Sequence, residues 1–187
     1  MGKVVFGMIA SLDGFISDRH GTSDWGQMDE DLHRLSEAEE AKVGINIYGR
    51  RMYETMAVWD ALAEDQSASQ MERDFGMVWR NTDKIVVSRS LGEVTTSRTR
   101  LVREVTAADI AQLKASSDKD ISVSGATLAG HFFSQGLIDE LQMYIAPVLV
   151  GGGKPLFPGI GDTIPLRRLE QLALDSGVTF IRYGVVR

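Results

Sequence analysis

The sequence predicts an α/β fold in three layers, α/β/α, with a mixed but mostly parallel sheet and antiparallel strands at its C-terminal end. Two observations favour this fold class. Short apolar strand patterns alternate with helix patterns up to residue 136, an order typical of parallel sheets that carry helices on their faces. Strand patterns dominate after residue 136, and Asp175-Ser-Gly177 between two of them indicates a closing hairpin.

The predicted elements of the first half alternate between strands and helices. Residues 3–10 form a continuous apolar run, which predicts a strand covered on both faces. A helix is predicted over residues 29–43, because acids begin it and Leu32, Leu35 and Ala38 recur at helical spacing. The other predictions are strands at 45–48, 84–88 and 101–105, and helices beginning at 49, over 67–81 and over 107–116.

The stretch 121–136 combines a strand, a tight glycine turn and a helix. Apolar and polar residues alternate from Ile121 to Ser124, Gly125 interrupts the pattern, and the residues after it suit a helix that ends at Gly136. Unpaired N–H groups at a helix start bind phosphates, and a glycine there allows a close approach. The turn is either an anion site or an ordinary connection, since one glycine is a weaker signal than a glycine-rich fingerprint.

The segment 139–150 alternates like a long strand, which suits either a dimer contact or burial inside a sheet. Pro147 within it marks an edge, a bulge or a strand end, because proline cannot donate a ladder hydrogen bond. Gly151, Gly152 and Gly153 follow. They predict either a plain turn or the wall of a site where a ligand lies against backbone.

Polar motifs follow several of the predicted strands. Asp13-Gly14 follows the first strand and forms either a corner or a ligand contact. Arg50-Arg51 opens a helix, where cations are slightly unfavourable and therefore indicate either a bound anion or simple exposure. Ser88-Arg89 ends a strand and matches a phosphate group. Ligands lie at the carboxyl ends of strands in such sheets, so this shared position predicts a binding site.

Composition narrows the possible functions. The 187 residues, of which 43% are hydrophobic, suit a single domain, 1–187. A net charge of -6 without a long basic run argues against nucleic-acid binding. The lack of cysteine excludes disulfides and thiolate metal sites, and the three histidines are too scattered to imply a metal. No apolar run suits a membrane span or a signal peptide, so we expect a cytoplasmic protein.

Five motifs together resemble the dihydrofolate-reductase-like superfamily and, within it, the reductase domain of the riboflavin biosynthesis protein RibD. They cover nearly the whole chain, in the order Ser11-Leu-Asp-Gly14, Tyr48-Gly-Arg-Arg-Met-Tyr-Glu54, Val87-Ser-Arg89, Ser124-Gly-Ala-Thr-Leu128 and Ala146-Pro-Val-Leu-Val-Gly-Gly-Gly153. The resemblance implies a dihydrofolate-reductase-like fold, NADPH as the cofactor, and a stand-alone homodimeric reductase. No deaminase half is expected, since its cysteine ligands cannot exist in this chain.

The resemblance also implies site residues. Those implied to bind NADPH are Ile9, Ala10 and Ile16 near the nicotinamide; Gly49, Arg50, Arg51 and Met52 on the adenine-ribose and phosphate side; Ser88 and Arg89 at the 2′-phosphate; and Ser124, Gly125, Ala126, Thr127 and Leu128 at the pyrophosphate. Those implied on the substrate side are Asp13, Gly14, Gly151 and Gly152, with Trp25 as either a loop anchor or a stacking surface. The family's usual paired glycine is Ser124-Gly125 here, so either the backbone approach is less free or the serine hydroxyl donates to phosphate.

The expected reaction is hydride transfer from NADPH to a conjugated C=N or C=O group of a pyrimidine or pterin. Asp13 is expected to bind polar groups of the substrate, and Asp31 or water to furnish the proton. Three alternatives stay open. They are a dihydrofolate reductase, with Asp31 one residue further from Trp25 than in that family; a broad reductase of quinones or aldehydes; and a nucleotide-binding module without turnover.

Overall fold

Helices and strands alternate along the chain as the sequence predicts. The computed structural model describes residues 2–26 and 29–187. The strands are β1 Val4–Ser11, β2 Phe15–Ser17, β3 Val43–Gly49, β4 Asp83–Val87, β5 Thr99–Val102, β6 Asp120–Ser124, β7 Glu140–Ala146, β8 Lys154–Pro155, β9 Leu166–Ala173 and β10 Thr179–Val185. The helices are α1 Glu30–Glu40, α2 Arg50–Met56, α3 Val58–Leu62, α4 Gln70–Asn81, α5 Ala107–Ser116 and α6 Ala126–Ser134, with a 3-10 turn at Asp24–Gly26.

Backbone contacts divide the chain into two compact units. The first unit is Leu35–Gly125 with Gly2 and Lys3, and the second is Val4–Arg34 with Ala126–Arg187. Within the ranges that the structure describes, no helix is long and apolar enough to cross a membrane.

The first unit contains a parallel sheet in the order β5-β4-β3-β6. Its core lies between the sheet and α4, where Trp79 is fully buried beside Tyr48. The two rings stack with centroids 6.4 Å apart, and the Trp79 indole N–H donates to the Tyr48 hydroxyl at 2.9 Å. The two rings bury a large apolar area, and because their polar atoms are paired no hydrogen bond is lost. This packing holds α4 on the sheet.

The second unit contains a mixed sheet in the order β1-β7-β10-β9. β1 and β7 run parallel, whereas β10 pairs antiparallel with both β7 and β9. The predicted combination of a mostly parallel sheet with antiparallel C-terminal strands is therefore confirmed. β7 is almost entirely buried between β1 and β10, so burial inside the sheet accounts for its apolar pattern. The homodimer stays a prediction.

Several predicted boundaries differ from the structure. The helix predicted over 29–43 ends at Glu40, because Val43 already begins β3, and Ala38 on its predicted apolar stripe is exposed. The long strand predicted over 139–150 ends at Ala146, directly before Pro147, which removes the next ladder donor. The strand predicted over 101–105 lies two to three residues earlier, as β5.

The predicted helix over 67–81 begins only at Gln70, because Ser69 and Glu72 form a capping box that fixes the N-terminus. The helix predicted over 107–116 matches α5 at both ends, where Thr106 and Asp109 form a second capping box. The sequence also shows a polar, glycine-bearing segment at 17–28, of which Gln27 and Met28 lie outside the described residues.

Candidate functional site

Three turns of the first unit meet at one edge of its parallel sheet. Gly49 at the end of β3 is in register with Val87 at the end of β4, and Tyr48 is in register with Ser124 at the end of β6. We call the residues at and directly after these strand ends, 49–52, 88–91 and 124–125, the carboxyl edge. The predicted alignment of these motifs is confirmed within the first unit, because parallel strands end at the same side of a sheet.

The first turn of the carboxyl edge is the start of α2. Gly49 is its N-cap and contributes no side-chain hydrogen bond, so the first N–H groups of the helix stay available to a ligand. Arg50 is held on two sides, by Glu54 at 2.7 Å and by the Ser90 hydroxyl at 3.2 Å. The Arg51 side chain is exposed and has no ion-pair partner in the part of the chain that the structure describes.

The second turn is shaped by Ser88. Its hydroxyl is buried and accepts hydrogen bonds from the backbone N–H groups of Ser90 at 3.3 Å and Leu91 at 3.0 Å. Ser88 therefore folds the turn, and Arg89 within it extends into solvent. No ion pair neutralises the Arg89 guanidinium among residues 2–26 and 29–187.

Arg103 is a residue of this turn that the sequence analysis did not identify. Its guanidinium Nη1 donates to the carbonyl oxygens of Ser88 at 2.8 Å and Leu91 at 2.7 Å. The pairing of β4 with β5 places Val102 beside Val87, and this brings Arg103 to the turn. Sequence periodicity does not reveal which strand pairs with which, so this contact was not predictable from spacing.

The third turn contains Gly125, whose φ of +106° favours glycine. A Cβ at this position would lie 3.5 Å from the Met52 Cβ and 3.9 Å from the Gly49 nitrogen, so the turn packs against the start of α2. Ser124 is mostly buried, and its hydroxyl has no hydrogen-bond partner within the described ranges. Directly after the turn, α6 begins with buried Ala126, exposed Thr127 and half-buried Leu128.

The chemistry of the carboxyl edge suits a phosphate-containing ligand. It offers the guanidinium groups of Arg51 and Arg89, the hydroxyl of Ser124, and backbone N–H groups at a helix start. Guanidinium groups and helix N-termini both favour phosphate oxygens.

In the second unit, Asp13 joins the end of β1 to the segment after β7. Its carboxylate accepts hydrogen bonds from the Ser11 hydroxyl at 2.6 Å, the Gly151 N–H at 2.8 Å and the Val150 N–H at 3.2 Å. The Ser11 bond, together with those from Gly151 and Val150, lowers the pKa of Asp13 below its ordinary value. Asp13 is therefore ionised at neutral pH, and donors of its own chain bind both of its carboxylate oxygens.

The predicted substrate-side glycines lie in the same assembly. Gly14 has a φ of +84°, and its carbonyl accepts the Leu156 N–H at 2.9 Å. Gly151 and Gly152 follow the strand end, with φ values of +70° and +149°. We call residues 148–153 the glycine loop. The structure thus brings Asp13, Gly14, Gly151 and Gly152 together. Asp13-Gly14 also forms the predicted corner, because the Gly14 N–H donates to the Ser11 carbonyl at 2.9 Å, although β2 after it pairs with β8.

Other predicted residues of the second unit lie elsewhere on it. Ala10 is fully buried, and Ile9 and Ile16 are half-buried. Trp25 is half-buried, and its indole nitrogen is enclosed without a hydrogen-bond partner in the described part of the chain. Asp31 lies in the first turn of α1, with its carboxylate 3.7 Å from Arg34. Asp31 thus lies beside a cation of its own helix, and fewer hydrogen bonds engage its carboxylate than engage that of Asp13.

A family model described as the RibD C-terminal domain matches residues 2–180 of the chain. The chain belongs to this family. The resemblance given by the five sequence motifs is therefore confirmed.

Two relatives match most of the chain. The uncharacterized protein YyaP of Bacillus subtilis is 28% identical over 97% of this chain and 94% of its own length. The riboflavin biosynthesis protein RibD of Corynebacterium ammoniagenes is 30% identical over 76% of this chain, which spans 42% of that longer protein.

Two solved structures share the fold. A putative riboflavin biosynthesis protein from Shewanella sp. PV-4 superimposes with a TM-score of 0.75 at 21% identity, covering 99% of both chains. Dihydrofolate reductase from Enterococcus faecalis, complexed with NADP(H), superimposes with a TM-score of 0.65 at 13% identity over 100% of this chain and 98% of that one. The dihydrofolate-reductase-like fold predicted for this RibD family member is confirmed.

Proposed function

We propose that this protein is an NADPH-dependent reductase that transfers a hydride to a small pyrimidine- or pterin-like molecule. The observation that carries the proposal is Arg89, an unneutralised cation on a turn that Ser88 and Arg103 hold in shape. A guanidinium presented in this way matches the 2′-phosphate that distinguishes NADPH from NADH. Membership of the RibD C-terminal domain family supports the same activity.

The first unit would hold the phosphate side of the cofactor. Arg51 and Arg89 would supply charge, while Arg50 is already engaged by Glu54 and Ser90 and would orient the start of α2. Ser124 would donate its free hydroxyl to the pyrophosphate. On this account the serine compensates for the glycine that the family usually has there, since a charge-assisted hydrogen bond contributes about 1.5–3 kcal/mol.

The second unit carries the remaining residues that the resemblance implies. Thr127 is exposed at the helix start, where its hydroxyl and the neighbouring N–H groups suit a phosphate. Ile9 and Ile16 would provide apolar contact near the nicotinamide. When bound, reduced nicotinamide supplies the hydride. The Trp25 indole N–H, enclosed without an acceptor in the described residues, would find one in a substrate carbonyl.

The proton has two possible sources among the predicted groups. Asp13 is ionised and accepts three hydrogen bonds from the chain, so it has no proton to give at neutral pH. Asp31 or a water molecule would therefore furnish it, with Asp13 shaping the substrate-side wall. Geometry decides between these donors before pKa does.

One observation favours a second candidate, a nucleotide-binding module without turnover. The best-placed carboxylate on the substrate side, Asp13, binds backbone and side-chain groups of its own chain, and the Asp31 carboxylate lies beside Arg34. A protein of this kind would bind NADPH at the carboxyl edge and consume none with any acceptor.

The test of the cofactor assignment is a parallel titration with NADPH and NADH, followed by fluorescence. We expect NADPH to bind more tightly, and Arg89→Ala to remove about 10- to 100-fold of that preference, the size of one or two charge-assisted hydrogen bonds. Arg167→Ala, an exposed arginine on β9, is the matched control and should leave both affinities unchanged. Absence of binding at millimolar concentrations, or an unaltered preference in Arg89→Ala, contradicts the assignment.

A further inference from the structure

We infer that Asp13 and Arg19 are a pair of positioning residues that hold the glycine loop as a preformed wall of the substrate side. This role rests on the proposed function, whereas the contacts do not. Gly151 is bound from both directions: its N–H donates to Asp13 at 2.8 Å, and its carbonyl accepts from Arg19 Nη2 at 2.8 Å. Arg19 was not among the residues that the sequence motifs implied.

We call Asp13 and Arg19, with the two hydrogen bonds that they make to Gly151, the clamp. The Asp13 carboxylate of the clamp is itself held in place by neighbouring groups. The Ser11 hydroxyl donates to the carboxylate at 2.6 Å and accepts the Phe15 N–H at 3.0 Å. The Val150 N–H donates to the same carboxylate oxygen at 3.2 Å. Two consecutive N–H groups of the glycine loop are therefore bound to one anion whose orientation is set by the residues around it.

The Arg19 half depends on the second glycine of the loop. A Cβ on Gly152 would lie 2.7 Å from Arg19 Nε and 3.2 Å from its Nη2. The guanidinium therefore occupies the space that a side chain at 152 would fill. Glycine is needed here so that the arginine can reach the Gly151 carbonyl.

The loop is also fixed outside the clamp. At the first residue of the loop, the Val148 carbonyl accepts the Leu12 N–H at 2.9 Å. After it, β8 pairs with β2, and Gly153 passes so close to the chain that a Cβ would lie 1.9 Å from the Ser17 carbonyl oxygen. A segment held at both ends and in its middle loses little conformational entropy when a substrate binds. The clamp thus accounts for three successive glycines in a segment that is not free to move.

The contact network is tested by amide hydrogen exchange of residues 148–153 in Arg19→Ala, Gly152→Ala and the double variant. Arg19→Ala should raise exchange about tenfold, as loss of one hydrogen bond to a charged group predicts. Gly152→Ala displaces the same guanidinium, so the double variant should exchange no faster than Gly152→Ala alone. Two independent effects that multiply in the double variant, or no change in Arg19→Ala, overturn the clamp.

Two further variants keep the test interpretable. Gly21→Ala, with a φ of +84° and no atom within 4 Å of its Cβ, lies in the same turn as Arg19 and controls for backbone strain alone. Asp13→Asn replaces one acceptor oxygen by an amide that faces an N–H donor, and should accelerate exchange at Val150 and Gly151 more than Arg19→Ala does.

The positioning role is tested with the acceptor that the protein reduces. Arg19→Ala should raise KM for the acceptor about tenfold, with kcat and the NADPH affinity changed less than twofold. A general loss of folding would lower all three together. If wild type consumes no NADPH but exchange changes as expected, the clamp stands and the reductase proposal fails. If wild type turns over and Arg19→Ala has an unchanged acceptor KM, the positioning role fails.

Discussion

The carboxyl edge and the glycine loop use their charged groups in opposite ways. At the carboxyl edge, Arg51 and Arg89 extend without ion-pair partners in the described residues, on turns held by other groups. At the glycine loop, Asp13 and Arg19 both bind backbone of their own chain. The first region keeps its charges available for a ligand, whereas the second uses its charges to fix a shape. The comparison teaches that a charged residue near a site is a binding residue only where its hydrogen-bonding groups are free.

The largest effect should come from the third glycine of the loop. Gly153→Ala places a Cβ 1.9 Å from the Ser17 oxygen and 2.7 Å from the Asp18 carbonyl carbon, at a φ of +145°. Backbone on both sides must move, so we expect a loss of about 3 kcal/mol or more in the free energy of unfolding, measured with urea. Gly159→Ala, with a φ of +76° and nothing within 4 Å, should lose about 1 kcal/mol. Equal losses in the two variants would mean that the loop is not fixed as described.

A buried cation in the first unit provides an intermediate effect. Lys84 is 1% exposed and donates to the carbonyls of Trp79 at 2.8 Å and Thr82 at 2.7 Å. Burial lowers its pKa from 10.5 to about 8. Between these values the unfolded chain binds the proton and the folded chain does not, so stability rises with pH across this window.

The free energy of unfolding of wild type should therefore rise by about 2 kcal/mol relative to that of Lys84→Met between about pH 7.5 and about pH 9.5. Urea unfolding of both proteins at the two pH values measures this difference and cancels the titration of shared groups. A constant difference would show that the Lys84 ammonium keeps its proton, and that its carbonyl partners stabilise the charge against burial. In that case this buried lysine would stay charged, like the exposed arginines of the carboxyl edge.

The smallest effect should come from Arg103, which shapes the carboxyl edge without being free itself. Arg103→Ala removes two hydrogen bonds to the turn that carries Arg89. We expect NADPH affinity to fall about 3- to 10-fold, roughly 1 kcal/mol, with little change for NADH. Titration beside Arg167→Ala measures the change. An equal loss for both nucleotides would indicate that Arg103 supports the unit in general rather than the position of Arg89.

Much of the fold followed from local sequence signals. Helix α5 was predicted at both ends from its own residues, and its start coincides with a capping box of Thr106 and Asp109. The turn at Gly125 was predicted because one residue there needs a positive φ. Boundaries failed where a neighbouring strand decides them, as at Val43, whose apolar side chain suits a helix as well as the strand that it begins.

The candidate site was predictable to a lesser extent, for a physical reason. Motif residues such as Arg89 and Gly151 could be named because they lie at strand ends. Arg103 and Arg19 could not, because they act through carbonyl groups 12 to 132 residues away. Such bonds depend on strand pairing and loop path, and no spacing rule expresses them.

Acceptor-dependent oxidation of NADPH by the wild-type protein tests the account most directly. The acceptors are the riboflavin-pathway pyrimidine, dihydrofolate, and a quinone and an aldehyde, with NADH in parallel and Arg89→Ala as the cofactor control. The account predicts that NADPH is consumed only with a pyrimidine or pterin acceptor, faster than NADH, and that Arg89→Ala loses this preference. Tight NADPH binding without consumption under any acceptor would contradict it, and would identify the protein as a nucleotide-binding module instead.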